Sequence, residues 1–315
     1  MPLVTWSLTP SQAFAIGKYG AIYLFVTVLV GFVANGFIIL VTIKSRRLRG
    51  ACNILICIQA LMDILTSMGH VVYFYFLYTE TLIPFSECYK YQFIPCSAMN
   101  ITTALMLAIG VDRFLCLKYA VRYKKWPTPV YIGTLVLCCL LYDLLIKSVG
   151  FSTLTNDPVI CLIADGYVGL GKDLWVFTQV IINVCVVIVY KMIHDQMKLM
   201  EDRVTEAKRI ISSLFTIVIW YIFGWLMTMC LLGVVRVLTT EPNLVVTCEL
   251  FAGLFANINM VIPAFIYFHR SSVYNCAFRE IFQTGLVGPT SLTLHRSSLH
   301  NSSTVVHVTN SSRGP

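Results

Sequence analysis

Long stretches without a charged residue divide this chain. No residue between Lys18 and Lys44 is charged, and the run from Ile210 to Val235 is also uncharged. A helix needs about 20 apolar residues to cross about 30 Å of hydrocarbon, and both runs are long enough. Further segments of low charge lie at about 52–77, 91–111, 129–146, 173–190 and 244–268. The sequence therefore predicts an all-α membrane protein, a seven-transmembrane helix bundle whose helices are called spans one to seven.

Composition supports lipid as the main solvent. Of the 315 residues, 57% are hydrophobic and 12% are charged, whereas about 25% of residues are charged in a typical soluble domain. Too few charged residues are present to cover the surface of a water-soluble protein. The lipid bilayer is therefore a predicted partner. The net charge of +8 comes from short basic clusters between apolar runs. Nucleic-acid binding, which needs a basic face on a soluble domain, is not predicted.

The basic residues also predict an orientation. Of the 23 lysines and arginines, 18 fall on one side of the alternating spans, and cytoplasmic loops are the side enriched in these residues. The amino terminus is then outside and the carboxyl terminus cytoplasmic, in a multi-pass protein of the plasma membrane. We expect an extracellular segment 1–18, a seven-helix bundle 19–284 that ends in a short cytoplasmic helix, and a Ser/Thr-rich disordered tail 285–315.

Two cysteines lie on the predicted outer side, where disulfides persist. Cys88 precedes Arg113 by 25 residues, and Cys161 lies in the loop after span four. A Cys88–Cys161 bridge would pin this loop over span three; the alternative is an unpaired Cys161. Most other cysteines lie inside apolar runs, there is no CxxC pair, and the histidines lack metal-ligand spacing. No cofactor is predicted.

Polar residues inside the spans predict an internal network. Asp63 lies in the middle of span two, and Asn35 in the middle of span one. An ionisable side chain there costs about 2.5–3.5 kcal/mol on insertion scales, so it should find partners within the bundle. Thr102 and Asn259 are the candidate partners, and Trp225 is expected to pack beside them. The pair Asp112–Arg113 ends span three; by itself it is equally well explained as a pair of interfacial charges.

Together these residues resemble the rhodopsin-like G-protein-coupled receptors. The residues and runs that carry the resemblance are Asn35, Ala60–Asp63, Cys88, Asp112–Arg113, Cys161, Tyr221–Trp225, and Tyr267 followed by Tyr274. Finer features resemble the nematode serpentine chemoreceptors of class sx, the Srsx family. They are the runs Leu48–Leu55, Ile109–Arg113 and Tyr267–Tyr274.

The resemblance implies a chemosensory receptor that binds an extracellular small molecule and activates a heterotrimeric G protein, with a sensory cilium as an expected location. It implies G-protein coupling through Asp112, Arg113, Phe114, Tyr190, Glu206 and Tyr267, and it leaves room for a sodium ion near Asp63. The chain departs from the pattern at several places: span four lacks a mid-helix Trp, span five lacks a Pro, and three single positions also differ. Phe114 replaces the usual Tyr, Met227 replaces the Pro two residues after Trp225, and Asn259 stands four residues before Pro263.

The predicted ligand pocket uses the outer halves of the spans. Glu249 is the most informative candidate, because a carboxylate in the outer third of a span should face a cavity or a cation. Pro95, seven residues after Cys88, occupies the position where amine receptors carry Asp, so a salt bridge to a cationic amine is disfavoured. For Met99 and Gly253, ordinary helix packing is the favoured alternative. The candidates are Tyr73, Met99, Asn100, Thr228, Glu249 and Gly253.

Three other classes of membrane protein are alternatives to a chemosensory receptor. A neuropeptide or peptide-hormone receptor would share the same core motifs. A transporter or channel would favour repeated halves, and the chain has no such repeat. An intramembrane aspartyl protease would need two carboxylates in one site, but Asp143 and Asp173 lie in different spans and Lys172 interrupts the second motif. The chain is therefore not expected to be an enzyme.

Overall fold

A computed structural model describes residues 7–199, 205–239 and 241–286. Within these ranges seven helices are long and apolar enough to cross a membrane, which confirms the predicted bundle. The spans are Pro10–Lys44, Ala51–Tyr78, Phe93–Lys118, Thr128–Ser152, Gly169–Lys198, Phe215–Val235 and Asn243–Arg270. Span six belongs to one longer helix, Thr205–Leu238, in agreement with Met227 in place of Pro.

Most helices extend beyond the apolar runs that predicted them. Span one begins at Pro10 because Thr9 caps it: the Thr9 hydroxyl accepts from the Gln12 backbone N–H at 3.3 Å, and Gln12 Oε1 accepts from the Thr9 N–H at 2.9 Å. This reciprocal pair satisfies two backbone donors that a helix start leaves unpaired. Proline at the first helical position loses no hydrogen bond there.

Span three lies at the centre of the bundle and span four at its edge. In span three 72% of the most apolar window is buried inside the protein, against 11% in span four. The outward face of span four carries exposed leucines, including Leu137, Leu141 and Leu145, as expected of a helix in contact with lipid. Residues of span three are therefore in the best position to contact several other spans.

Span seven is broken in its middle. It consists of the helices Pro242–Ile258 and Ile262–Arg270. The backbone N–H groups of residues 259–261 bond to carbonyls three residues earlier, not four. Pro263 has no N–H to donate, which disfavours a continuous helix. The Met260 carbonyl accepts a hydrogen bond from Asn35 Nδ2 at 2.8 Å. The side-chain amide of span one therefore pairs with a backbone carbonyl at the break.

The two ends of the bundle differ. At one end a disulfide joins Cys88 and Cys161, with their Cα atoms 5.4 Å apart; we name it the disulfide end. The opposite end, which carries Arg113, is the arginine end. The disulfide end also has helices Phe85–Tyr91 and Ile163–Gly166 and a two-stranded antiparallel sheet that pairs Ile83–Pro84 with Pro158–Val159. Helices Arg46–Leu48, Ala120–Tyr123 and Ser272–Leu286 complete the described fold.

Candidate functional site

The middle of the bundle holds a small polar cavity next to Asp63. The buried Asp63 carboxylate accepts a hydrogen bond from Thr102 Oγ1 at 3.3 Å. The cavity measures about 10 Å³, and Trp225 and Asn259 also line it. Such a volume holds about one water molecule. Four of the five predicted network residues, Asp63 included, thus line this cavity, while Asn35 lies at the break of span seven.

The same cavity contains oxygen atoms of the kind that bind sodium. One carboxylate and one hydroxyl within hydrogen-bonding distance of each other are oxygen ligands of the kind that hard cations take. The described residues contain no cluster of three His, Cys, Asp or Glu side chains that could hold a metal ion. A sodium ion near Asp63 therefore stays a prediction.

Spans six and seven touch at Gly224. Asn259 Nδ2 donates to the Tyr221 carbonyl at 3.3 Å, and an ideal Cβ on Gly224 would lie 2.6 Å from the Phe255 carbonyl oxygen and collide with the Asn259 amide. Glycine at this position therefore sets the distance between the two helices.

Replacing Gly224 by alanine is expected to lower the free energy of unfolding by about 1–3 kcal/mol, the usual cost of forcing atoms into a packed interior. The measurement is thermal unfolding of purified protein. Gly233→Ala, in the same helix but with no atom within 4 Å of an added Cβ, is the matched control. Equal unfolding midpoints for the two variants would contradict this packing.

At the arginine end, Asp112 is fully buried between two partners. Its Oδ2 lies 3.3 Å from Arg113 Nε, and its Oδ1 accepts from Tyr123 Oη at 2.6 Å. Burial and the Asp112 carboxylate raise the pKa of Tyr123, so this hydroxyl stays protonated and able to donate. Tyr123 did not emerge from the sequence; the only available signal was that a buried Asp112 needs a donor.

The other predicted coupling residues take several positions. Tyr190 and Tyr267 line one small cavity of about 10 Å³, and Tyr267 stacks on Tyr274 with ring centroids 5.0 Å apart. Phe114 packs against the core with Lys118 Nζ 5.4 Å from its ring centroid. Glu206 lies in the helix that contains span six, but its side chain is outside the described structure.

A second cavity lies under the loop at the disulfide end. It has a volume of about 50 Å³, and residues of every span except span four contribute to its wall. Four predicted pocket residues line it, namely Met99, Thr228, Glu249 and Gly253. Loop residues 162–164 and Trp175 also line it; no sequence signal predicts how the loop folds back.

Tyr73 and Asn100, the two other predicted pocket residues, do not line this cavity. Tyr73 packs in an apolar cluster with Phe14 and Leu77. Asn100 Nδ2 donates to Asp143 Oδ1 at 2.7 Å and to Tyr167 Oη at 2.8 Å, and its Oδ1 accepts from Trp175 Nε1 at 3.1 Å. The Asn100 amide is therefore committed to holding spans three, four and five and the loop together.

A buried charge cluster adjoins the cavity. Lys172 Nζ lies 2.6 Å from Glu249 Oε2 and 3.3 Å from Asp165 Oδ1, and Asp165 Oδ2 accepts from the Leu162 backbone N–H at 3.1 Å. Burial raises the pKa of Asp165, although Lys172 acts in the opposite direction. The cluster joins the loop to spans five and seven, so its charges help fix the roof of the cavity.

The seven apolar spans, the disulfide over span three and the Asp112–Arg113 pair together define a seven-transmembrane receptor of the G-protein-coupled class. The chain matches the family described as "Serpentine type 7TM GPCR chemoreceptor Srsx" over residues 28–282 and belongs to that family. This is a class of receptors and not of enzymes. No curated protein matches the chain.

Proposed function

We propose that this protein is a chemosensory receptor of the plasma membrane, located in the sensory cilium, with its disulfide end outside. A small molecule binds in the cavity under the loop, and a heterotrimeric G protein binds at the cytoplasmic arginine end. One observation carries the proposal: the ligand cavity and the Asp63 cavity share Thr66, Met99, Trp225 and Met260 in their walls. A ligand that moves these side chains changes the packing around Asp63.

The break in span seven supplies the next step. Met260 lies at this break, and its carbonyl is held by Asn35. The short helix Ile262–Arg270, which begins just after the break, carries Tyr267. A ligand shifts an equilibrium only through different contacts in the two states. A ligand that contacts Met260 or Trp225 more closely in the active state than in the resting state would favour the active state. Both side chains lie where spans six and seven meet the central network.

The arginine end supports a resting state that can be released. Arg113 is held by Asp112, which is itself held by Tyr123. The hydroxyl group of Tyr190 is buried and has no hydrogen-bond partner among the described residues. Such a group costs about 1–3 kcal/mol, so a rearrangement that gives it a partner would stabilise the active state. In that state Arg113 leaves Asp112 and contacts the G protein.

The test is a ligand screen in cells that express the chain. Volatile compounds, water-soluble attractants and peptides would be compared through calcium and cyclic-nucleotide reporters, with untransfected cells as the control. We expect a saturable response to a small molecule. A response to peptides alone would favour the neuropeptide-receptor alternative, which the small, roofed cavity does not favour. Solute uptake or current without a G-protein response would indicate a transporter or channel.

A further inference from the structure

Glu249 has one carboxylate oxygen engaged and one free. Its Oε2 lies 2.6 Å from Lys172 Nζ, while its Oε1 is buried and makes no hydrogen bond to any described residue. The side chain is only 2% exposed and lines the ligand cavity. Leaving a buried acceptor without a donor is costly, and more so for a charged group. This oxygen is therefore a position at which a ligand could donate a hydrogen bond.

The charges around this oxygen favour a positive donor. Among the described contacts, the single ammonium of Lys172 is shared by two carboxylates, Glu249 and Asp165. Lys172 does not line the cavity, and neither does any other described lysine or arginine. An anion in the cavity would meet the Glu249 carboxylate and, among the described residues, no lysine or arginine. Buried charges need an opposite charge or hydrogen bonds, so a cation matches this wall and an anion does not.

Most of the remaining wall is apolar, although Thr66, His70, Thr228 and Asn257 also line the cavity. Met99, Trp225, Met229 and Leu232 face the cavity, whose volume of about 50 Å³ is about a third of the roughly 150 Å³ that accommodates benzene in an engineered cavity. Trp175 and Trp225 offer aromatic rings, which attract cations as well as alkyl groups. An ammonium group that carries only one or two carbon atoms fits these limits.

We propose that the cavity binds a small alkylammonium ion whose nitrogen donates to Glu249 Oε1 and whose alkyl group packs against Trp225 and its apolar neighbours. This assignment rests on the proposed receptor function and specifies its ligand class. The acid comes from span seven, whereas Pro95 occupies the position in span three from which other amine receptors supply theirs. Because Trp225 also lines the Asp63 cavity, the alkyl group would contact the residue that links the two cavities.

The test measures binding without a G protein. Purified receptor in lipid nanodiscs would be titrated with methylammonium, methanol and formate, which each contain one carbon atom and differ in charge. A ligand that binds only the folded protein raises its thermal midpoint with concentration. We expect this shift for the ammonium ion and at least tenfold weaker binding of the alcohol and the carboxylate. Equal shifts for the three compounds, or none for the ammonium ion, would overturn the proposal.

Two substitutions have opposite expected effects. Glu249→Gln should weaken methylammonium binding at least tenfold, because it removes the charge that holds the nitrogen. Lys172→Met should strengthen binding, because it removes the competing ammonium from the same carboxylate. A purely structural role of the cluster would weaken binding in both variants, and loss of binding in Lys172→Met alone would also contradict the assignment.

Glu87→Gln, the same change at an exposed position of the disulfide end, is the matched control and should leave binding unchanged. If Glu249→Gln does not fold, the comparison of the three compounds on the unmodified receptor still decides the question. Binding of the ammonium ion without any G-protein response in cells would leave the ligand class standing and overturn the proposed coupling instead.

Discussion

Replacing Cys88 by serine is expected to destabilise the receptor strongly and to reduce its amount at the cell surface. The Cys88–Cys161 bridge spans 73 residues of sequence, and closing a loop of that length removes unfolded-state entropy equivalent to about 4 kcal/mol. The bridge also anchors the loop residues 162–164 that roof the ligand cavity. The variant should therefore lose both stability and ligand binding.

The measurement is the thermal midpoint of purified receptor, with surface expression in parallel. Cys138→Ser is the control, because Cys138 is a free, exposed cysteine of span four. We expect a normal midpoint for the control and a much lower one for Cys88→Ser and for Cys161→Ser. Midpoints within a degree of the unmodified receptor for these two variants would show that the bridge does not hold the loop.

Replacing Arg113 by alanine is expected to reduce the maximal G-protein response to less than about a tenth of normal, a coupling loss of more than about 1.4 kcal/mol. In the proposed mechanism Arg113 leaves Asp112, 3.3 Å away in this state, and supplies the main contact to the G protein. Alanine removes the charge but leaves the backbone of span three intact.

The response would be measured at matched surface expression, with the same ligand for every variant. Lys118→Ala is the control, because Lys118 is a second basic residue in the last turn of the same span and packs over Phe114. The control should keep most of the response. An Arg113→Ala receptor that signals normally at equal surface expression would remove Arg113 from the mechanism.

The fold was largely predictable because a bilayer leaves few choices for the backbone. A chain in hydrocarbon must satisfy its own N–H and C=O groups, so each long apolar run becomes a helix. The helix ends were less predictable, since the capping pair of Thr9 and Gln12 extends span one beyond its apolar run. The break in span seven was also missed. Pro263 signals a local weakness, but the turn lies at residues 259–261, where Asn35 from a distant part of the chain satisfies it.

The sequence predicted how deep in the membrane each site residue lies, but not which side of its helix the residue occupies. Met99 and Asn100 are adjacent in span three, and only Met99 lines the ligand cavity, because Asn100 faces the polar groups of Asp143 and Trp175. The Lys172–Glu249 pair joins residues 77 positions apart in the sequence. The sequence around either residue does not indicate its partner. Only the packing of spans five and seven reveals the pair.

The orientation of the chain in the membrane is the premise on which the ligand and G-protein sites both depend. Antibody staining of epitope tags placed at Met1 and at Pro315, in intact and in permeabilised cells, tests it most directly. The positions of 18 of the 23 basic residues predict that the first tag is stained on intact cells and the second only after permeabilisation. Staining of both tags in the same compartment, or in the reverse arrangement, would contradict the receptor account.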